Sequence, residues 1–391
     1  MNNNKHHWLT RNLLLLTFIS LAQDAASELI YPLLPLLLVG IVSTAPVALG
    51  VIEGIADAIA GFTKLYSGKF SDRYGRKPFV ISGYSLAGIG KVLTVSSMSW
   101  IGIFTGRVVD RVGKGMRGAP RDALIHDDVE TKDLGKAYGF HRAGDNAGAV
   151  IGPLIALGLL TILNDDVRSV AKWALIPALL SALATFFVKE IRANKPVSQF
   201  KKAPLTPALK KTIVILVLIQ ITNIPDALLL LRLHDIGFSA RGVVLGYIIY
   251  MFVAMLAAYP AGKLSDRLHP KFVYLIGLLF FAIGYITLGF TDNHLYALIA
   301  LGFYGLFPAL TDGVGKAWIG RLHAGDSNNE SGSRGYAQGV FQASMSFAVL
   351  AAGIWAGIIW GGGAIEIALV IAGIGALIGA LTLLLYKGIP G

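Results

Sequence analysis

The chain contains no cysteine, which excludes disulfide frameworks, thiolate nucleophiles and thiolate metal sites. Charge is also scarce. Asp, Glu, Lys and Arg together make up 15% of the 391 residues, against about 25% in a soluble domain. No Gly-rich phosphate loop ending in Gly-Lys-Ser/Thr is present, no paired-His metalloprotease motif and no Gly-x-Ser-x-Gly elbow. The scattered histidines do not form a metal site by spacing. An enzyme is not expected, and neither is a metal or a cofactor.

Apolar residues are abundant instead. They account for 54% of the chain, and mean hydropathy is +0.64. They fall in repeated runs of about 20 residues, the length of a membrane-spanning helix. The runs are continuous rather than alternating, so an all-α polytopic protein is expected and a barrel is not. Twelve spans are expected at 12–39, 46–66, 79–98, 100–118, 135–162, 170–188, 212–232, 241–260, 272–290, 294–316, 334–358 and 363–386. The first is too long for the apolar core of a signal peptide and has no small-residue cleavage site after it, so it is expected to remain as a span.

The formal net charge of +11 suggests nucleic acid until its placement is read. The loops after spans 1, 3, 9 and 11 have no Lys or Arg, whereas those after spans 2, 4 and 8 and the central loop are basic. Alternation of this kind sets topology. It puts both termini in the cytoplasm and makes nucleic acid an unexpected partner. The central segment 191–211 contains Pro196, Pro204 and Pro207 and reads as a linker between a six-span half at 1–190 and another at 212–391. Internal echoes support two related halves: GKFSDRYGRKP (68–78) returns as GKLSDRLHPKF (262–272), and DRVGKG (110–115) more weakly as DGVGKA (312–317). Repeats of this kind mark transporters with a substrate site near the midplane.

The first of these segments resembles the loop signature of the major facilitator superfamily, G-x-L-x-D-R-x-G-R-R/K, at Gly68, Asp72, Arg73, Gly75, Arg76 and Lys77. The second copy keeps Gly262, Asp266 and Arg267. Gly148-x-x-x-Gly152-Pro153 resembles the fifth-span motif of antiporters and exporters, although Ala156 and Leu157 stand near the place of its downstream glycine pair. The resemblance covers essentially the whole chain. It implies a monomeric bacterial inner-membrane carrier that works by alternating access. A small-molecule substrate and protons would be its partners, lipid its surroundings, and the proton gradient its energy source. It further implies that the loop residues Gly68, Asp72, Arg73, Gly75, Arg76, Asp266 and Arg267 form a conformational latch, and that the first and fourth spans of each half line the central cavity.

A charged side chain within a span costs roughly 2.5–3.5 kcal/mol on insertion scales and usually faces a cavity or a partner. Asp24 and Glu28 share a helix face, as do Glu53 and Asp57, and span 4 carries a polar stripe of Arg107, Asp110, Arg111 and Lys114. Counting rise per residue places Asp24, Arg107 and Glu53 at one level, with Asp57 and Asp110 near the midplane. The five acids Asp24, Glu28, Glu53, Asp57 and Asp110 are expected to form a proton relay, with structural ion pairing as the plainer alternative. Substrate contacts are expected from Arg107, from Asn223 and Asp226 beside the helix-breaking Pro225, and from Tyr304 and Phe307 in an aromatic stripe that could equally be packing. The segment 119–128 reads as a short cytoplasmic helix beginning near Pro120. The leading functional expectation is a proton-driven antiporter that exports a small organic molecule. The others are a symporter or facilitator for an organic anion, a divalent-metal exporter using the carboxylates of span 1 with Asp226, His234 and Asp235, and a non-transporting receptor or scaffold.

Overall fold

Backbone polar groups have no water to bond in hydrocarbon, so each apolar run must close its hydrogen bonds within itself. The computed structural model describes residues 8–42, 45–130, 133–190, 205–324 and 334–385, and among these every regular element is helical. The first span is α1 (Arg11–Ile30), a single 3-10 turn (Tyr31–Leu33) at Pro32, and α2 (Leu34–Val39). Then come α3 (Ala45–Tyr74), α4 (Arg76–Ser96), α5 (Trp100–Asp128) and α6 (Leu134–Ile162). The sixth span is broken into α7 (Val167–Lys172) and α8 (Leu175–Thr185), and the seventh into α9 (Pro207–Gln220) and α10 (Asp226–Asp235). The remaining five spans are α11 (Ala240–Arg267), α12 (Pro270–Phe290), α13 (His294–Ala324), α14 (Arg334–Gly361) and α15 (Ile365–Leu385). This is the twelve-helix architecture expected from the sequence.

Ten spans are long and apolar enough to cross a membrane by composition alone. The two exceptions are α5, which is too charged, and the α9–α10 pair, which is interrupted. These are the spans that carry most of the polar chemistry described below.

Several helices run past their expected ends. The fourth span does not stop at 118. It continues to Asp128 with Pro120 inside it, so the expected separate helix at 119–128 is the end of α5. Similarly, α3 runs through Gly68 to Tyr74, and α11 through Pro260 to Arg267. Loss of apolar character marks where a helix leaves the lipid, not where it unwinds.

The chain forms two compact units. One comprises 1–37 and 59–197, the other 38–58 and 198–391, so α3 contributes to both. Most of the central linker, 191–204, lies outside the described residues. In the first unit α1 packs on α6 through Gly148 and Gly152. A Cβ on Gly148 would lie 2.3 Å from the Leu21 carbonyl oxygen, and one on Gly152 would lie 2.4 Å from that of Ala25. Only glycine allows this approach of two backbones. It holds the Asp24 segment of α1 firmly against its neighbour. Outward side chains such as Leu179, Phe252, Ile283 and Leu381 are exposed, which suits a lipid surround.

Candidate functional site

In the first unit the buried charges are paired. Lys91 Nζ on α4 lies 2.7 Å from Asp110 Oδ1 on α5. The guanidinium of Arg107 approaches the same carboxylate at 3.8 Å, and that of Arg111 at 4.0 Å. Arg107 also lies over the Tyr31 ring, 5.9 Å from its centroid. The sequence expectation placed Arg107 level with Asp24. The cationic partner of Asp24 is instead Arg117, at 3.6 Å. The displacement follows from the true length of α5. Counted from its end at Asp128, Arg117 lies about 16 Å along the helix, and Asp24 lies about 20 Å along α1 from Arg11. Arg117 is 5% exposed and lies within α5, so it is a buried helix residue and not a loop charge.

A second buried group adjoins this pair. Ser20 Oγ lies 2.8 Å from the Tyr84 hydroxyl and 3.2 Å from His141 Nε2, and accepts from Arg121 Nη1 at 2.9 Å. Asp145 lies 3.6 Å from His141 Nδ1 and 3.8 Å from Arg121. The Arg117 guanidinium stacks over Tyr84 at 4.5 Å. The Ser20–His141–Asp145 order resembles a hydrolase triad, but Ser20 is 1% exposed and cannot meet a substrate. Of the remaining expected relay acids, Glu28 belongs to this unit and Glu53 and Asp57 to the other, and each is engaged by a neighbouring group.

In the second unit the break in the seventh span gathers the expected binding residues. Pro225 cannot donate a backbone hydrogen bond, and α9 stops at Gln220. The freed carbonyls find side-chain donors: Trp355 Nε1 bonds to the Ile221 oxygen at 2.9 Å and the Tyr285 hydroxyl to that of Ile224 at 3.2 Å. Asp226 opens α10, where the helix dipole favours a carboxylate. The Tyr304 hydroxyl donates to Asp226 Oδ1 at 2.6 Å, and Tyr250 to Oδ2 at 2.9 Å. Asn223 Oδ1 lies 3.2 Å from Tyr304 and 3.3 Å from Tyr285. Tyr250 and Tyr304 stack at 5.2 Å, and Phe307 stacks on Tyr304 at 5.9 Å. Asn223, Asp226, Tyr304 and Phe307 therefore form one cluster, joined by Tyr250 and Tyr285.

The first latch loop is held within its own unit. Gly75, at φ 96°, makes the turn between α3 and α4. Glu190 then caps α4, accepting from the Arg76 and Lys77 amides at 3.0 and 2.7 Å. Arg76 pairs with Asp127 and donates to the Ala123 carbonyl at 2.7 Å. Gly68 lies on the Ala119 methyl of α5, at Cβ-contact distance, and Arg73 lies over the Tyr74 ring. The Asp72 side chain lies outside the described residues. In the second copy Asp266 pairs with Arg321 at 2.7 Å, while Arg267 ends α11.

The metal-exporter reading loses its ligand set. Asp226 and the His234–Asp235 pair stand at opposite ends of α10, and among the described residues no three His, Asp or Glu side chains gather as a metal would require.

The sequence profile of the Major Facilitator Superfamily matches residues 13–245 and 212–390. The chain belongs to this superfamily. An uncharacterised MFS-type transporter of Methanocaldococcus jannaschii is 31% identical over 92% of this chain and 91% of that one. The class C tetracycline resistance protein of Escherichia coli is 27% identical over 77% and 80% of the two chains. The crystal structure of the nucleoside transporter NupG superposes with a TM-score of 0.76 over 97% of this chain and all of that one, at 12% identity, and so speaks for the fold alone. As a superfamily member the chain is a polytopic membrane transporter and not an enzyme.

Some of the chemistry was hidden in the sequence. Arg117 and Arg121 follow the last apolar run of span 4, so the sequence alone counts them among the basic loop residues, whereas both lie inside α5. Lys91, alone in GIGKVLTV, carried a usable signal, since an ionisable residue within a span marks a partner or a site. Tyr250 and Tyr285 carried none, because a tyrosine in an apolar helix is ordinary packing until its hydroxyl is placed.

Proposed function

We propose that this transporter is a proton-coupled antiporter of the inner membrane, with both termini cytoplasmic, which exports a small organic molecule by alternating access. The observation that carries this reading is the Asp24–Arg117 pair. The Arg117 side chain is 6% exposed and that of Asp24 is 31% exposed. A partly exposed carboxylate can take up and release a proton, while the closed guanidinium remains charged and returns it to the ionised form. Proton binding would loosen the pair and bias one conformational state, which is what coupling requires. The glycine packing of α6 on α1, next to Asp24, and the likeness to a tetracycline resistance protein also support export. Arg107, on which an organic-anion symporter would depend, is occupied by Asp110 and Tyr31.

Purified protein in proteoliposomes tests the reading, with tetracycline as the first probe of a panel of organic solutes. An acidic interior should drive probe accumulation, and a protonophore should abolish it. Accumulation driven instead by an alkaline interior would replace antiport by symport. No effect of the pH gradient on any transported probe would remove proton coupling.

A further inference from the structure

Within the first unit, the network around Asp24 leaves a buried donor and a buried acceptor unmet, and they are complementary. Arg117 reaches Asp24 through Nη2 at 3.6 Å, while its Nη1 is buried and has no hydrogen-bond partner among the described residues. Asp145 Oδ1 on α6 is likewise buried and unpartnered. The other oxygen of that carboxylate has His141 Nδ1 at 3.6 Å and Arg121 Nη1 at 3.8 Å, both beyond hydrogen-bond length. Buried polar groups are almost always bonded, so an unmet donor and acceptor in one network call for a reason.

Arg121 is not free to meet Asp145. Its Nε and Nη2 bond to Asp122 at 3.1 and 3.0 Å, and its Nη1 donates to Ser20 at 2.9 Å. Arg117 has no such hold. Its contacts are the Asp24 carboxylate and the face of the Tyr84 ring, and a ring face fixes no direction of hydrogen bonding. Asp24 and Asp145 act on each other electrostatically, and Arg117 acts on both. Lys114 and Arg121 on α5 also act on Asp24, and Arg121 and Asp122 on α5 with Arg142 on α6 also act on Asp145. The helices that carry the two acids are fixed together, with Gly144 against Thr17 and Gly148 against Leu21. Any exchange of partners is therefore left to the Arg117 side chain.

We propose that Asp145 is the second seat of Arg117. Ionised Asp24 holds the guanidinium toward α1, and protonation of Asp24 passes it to Asp145 on α6. The proton neutralises Asp24 while the guanidinium keeps its charge, and a buried cation without a counter-charge is costly. Asp145 supplies that counter-charge and so makes proton uptake possible without stranding Arg117. The result is a two-state element, in which α5 is tied to α1 in one protonation state and to α6 in the other. Asp145 is thus a positioning residue for coupling, and the proton itself stays on Asp24. The proposal deepens the antiport reading and rests on it for the role of the Asp24 proton; the exchange of partners needs no gradient.

The structure of an Asp24→Asn variant, which fixes the neutral side chain, tests the exchange directly. Arg117 Nη1 should lie at hydrogen-bond distance from Asp145 Oδ1. Unmodified protein with isotope-labelled arginine provides a second reading that survives a failure of Asp24→Asn to fold. Its infrared difference spectrum between neutral and acid pH should contain a shifted guanidinium band, lost in Asp145→Asn and kept in Asp145→Glu. In proteoliposomes, Asp145→Asn should lower the pH of half-maximal probe exchange by about one unit, and Asp145→Glu should restore it. A structural role alone would lower the melting temperature and leave that profile in place. The proposal is overturned by Arg117 remaining apart from Asp145 in Asp24→Asn, by a guanidinium band indifferent to Asp145→Asn, or by an unshifted profile where exchange depends on pH. Movement of Arg117 in a protein that fails the pH-gradient assay would leave the exchange standing and remove the antiport. Gradient-driven transport with Arg117 unmoved would do the reverse.

Discussion

Lys91 Nζ lies 2.7 Å from Asp110 Oδ1, and neither side chain is more than 5% exposed. The carboxylate has two further cations, Arg107 and Arg111, whereas the ammonium is bonded to Asp110 alone. Removing the two partners should therefore have unequal effects. Asp110→Asn strands Lys91 in low dielectric and should cost about 3–5 kcal/mol. Lys91→Met leaves the carboxylate with its arginines and should cost less, and the double variant should recover part of the loss of Asp110→Asn. Thermal unfolding in detergent measures the order. A melting temperature for Asp110→Asn at or above that of Lys91→Met would contradict it.

Asp24→Asn keeps the shape of the side chain but cannot release a proton. Accumulation driven by a pH gradient should be lost, while exchange of labelled for unlabelled probe at equilibrium persists. If the variant still accumulates probe, coupling lies elsewhere, and Glu28, Glu53, Asp57 and Asp110 are the next positions to vary.

Gly148→Val should destabilise the first unit by about 1–3 kcal/mol or more, because its Cβ meets the Leu21 carbonyl and forces the two backbones apart. Gly158 lies on the same helix with open space around it, so Gly158→Val should be tolerated. Expression level and melting temperature of the two variants provide the comparison.

Outside the membrane Asp166 caps α7, accepting from the Arg168 and Ser169 amides at 3.2 and 3.1 Å. Hydrogen bonds from Ser169 hold its carboxyl below the ordinary value of 3.8. A depressed value means that the folded state prefers the ionised form. The cap should be at full strength above the unfolded value and be lost as pH falls through the lower, folded one. Amide exchange at Arg168 and Ser169, corrected for its intrinsic pH dependence, should lose protection in that acid range. Asp166→Asn should keep the cap and flatten the dependence; an unchanged profile would exclude Asp166 as its source.

The span count and the break beside Pro225 were legible because apolar length and proline chemistry are local properties. The company of Asn223, Asp226, Tyr304 and Phe307 was guessed from residue type, and the hydroxyl geometry that joins them was not readable. The pairing of Asp24 is misread from the sequence for a physical reason. Depth counted from Trp100 along α5 and from Arg11 along α1 takes both helix starts as lipid surfaces, but a helix that leaves the bilayer does not end there, so Arg107 is set level with Asp24 in place of Arg117. Lys91 and Asp110 sit on neighbouring helices joined at Ser97–Ser99, yet finding their contact needs the facing of both helices, which no single-sequence period supplies.

The broken seventh span has a consequence for biosynthesis. The two halves, α9 and α10, have 14 and 10 residues, and neither is long enough to cross the bilayer alone. The Ile221 carbonyl left open between them is met by Trp355, 134 residues later in the chain. Thr222 and Ile219 pack against Gly375 and Gly379 of α15, which is made later still. When the seventh span emerges from the ribosome, the groups that complete it do not yet exist. It must wait, partly hydrated or sheltered at the insertion machinery, until the last two spans arrive. Truncation after α13 should therefore leave a protein whose seventh span is accessible to water-soluble reagents, although its own sequence is intact.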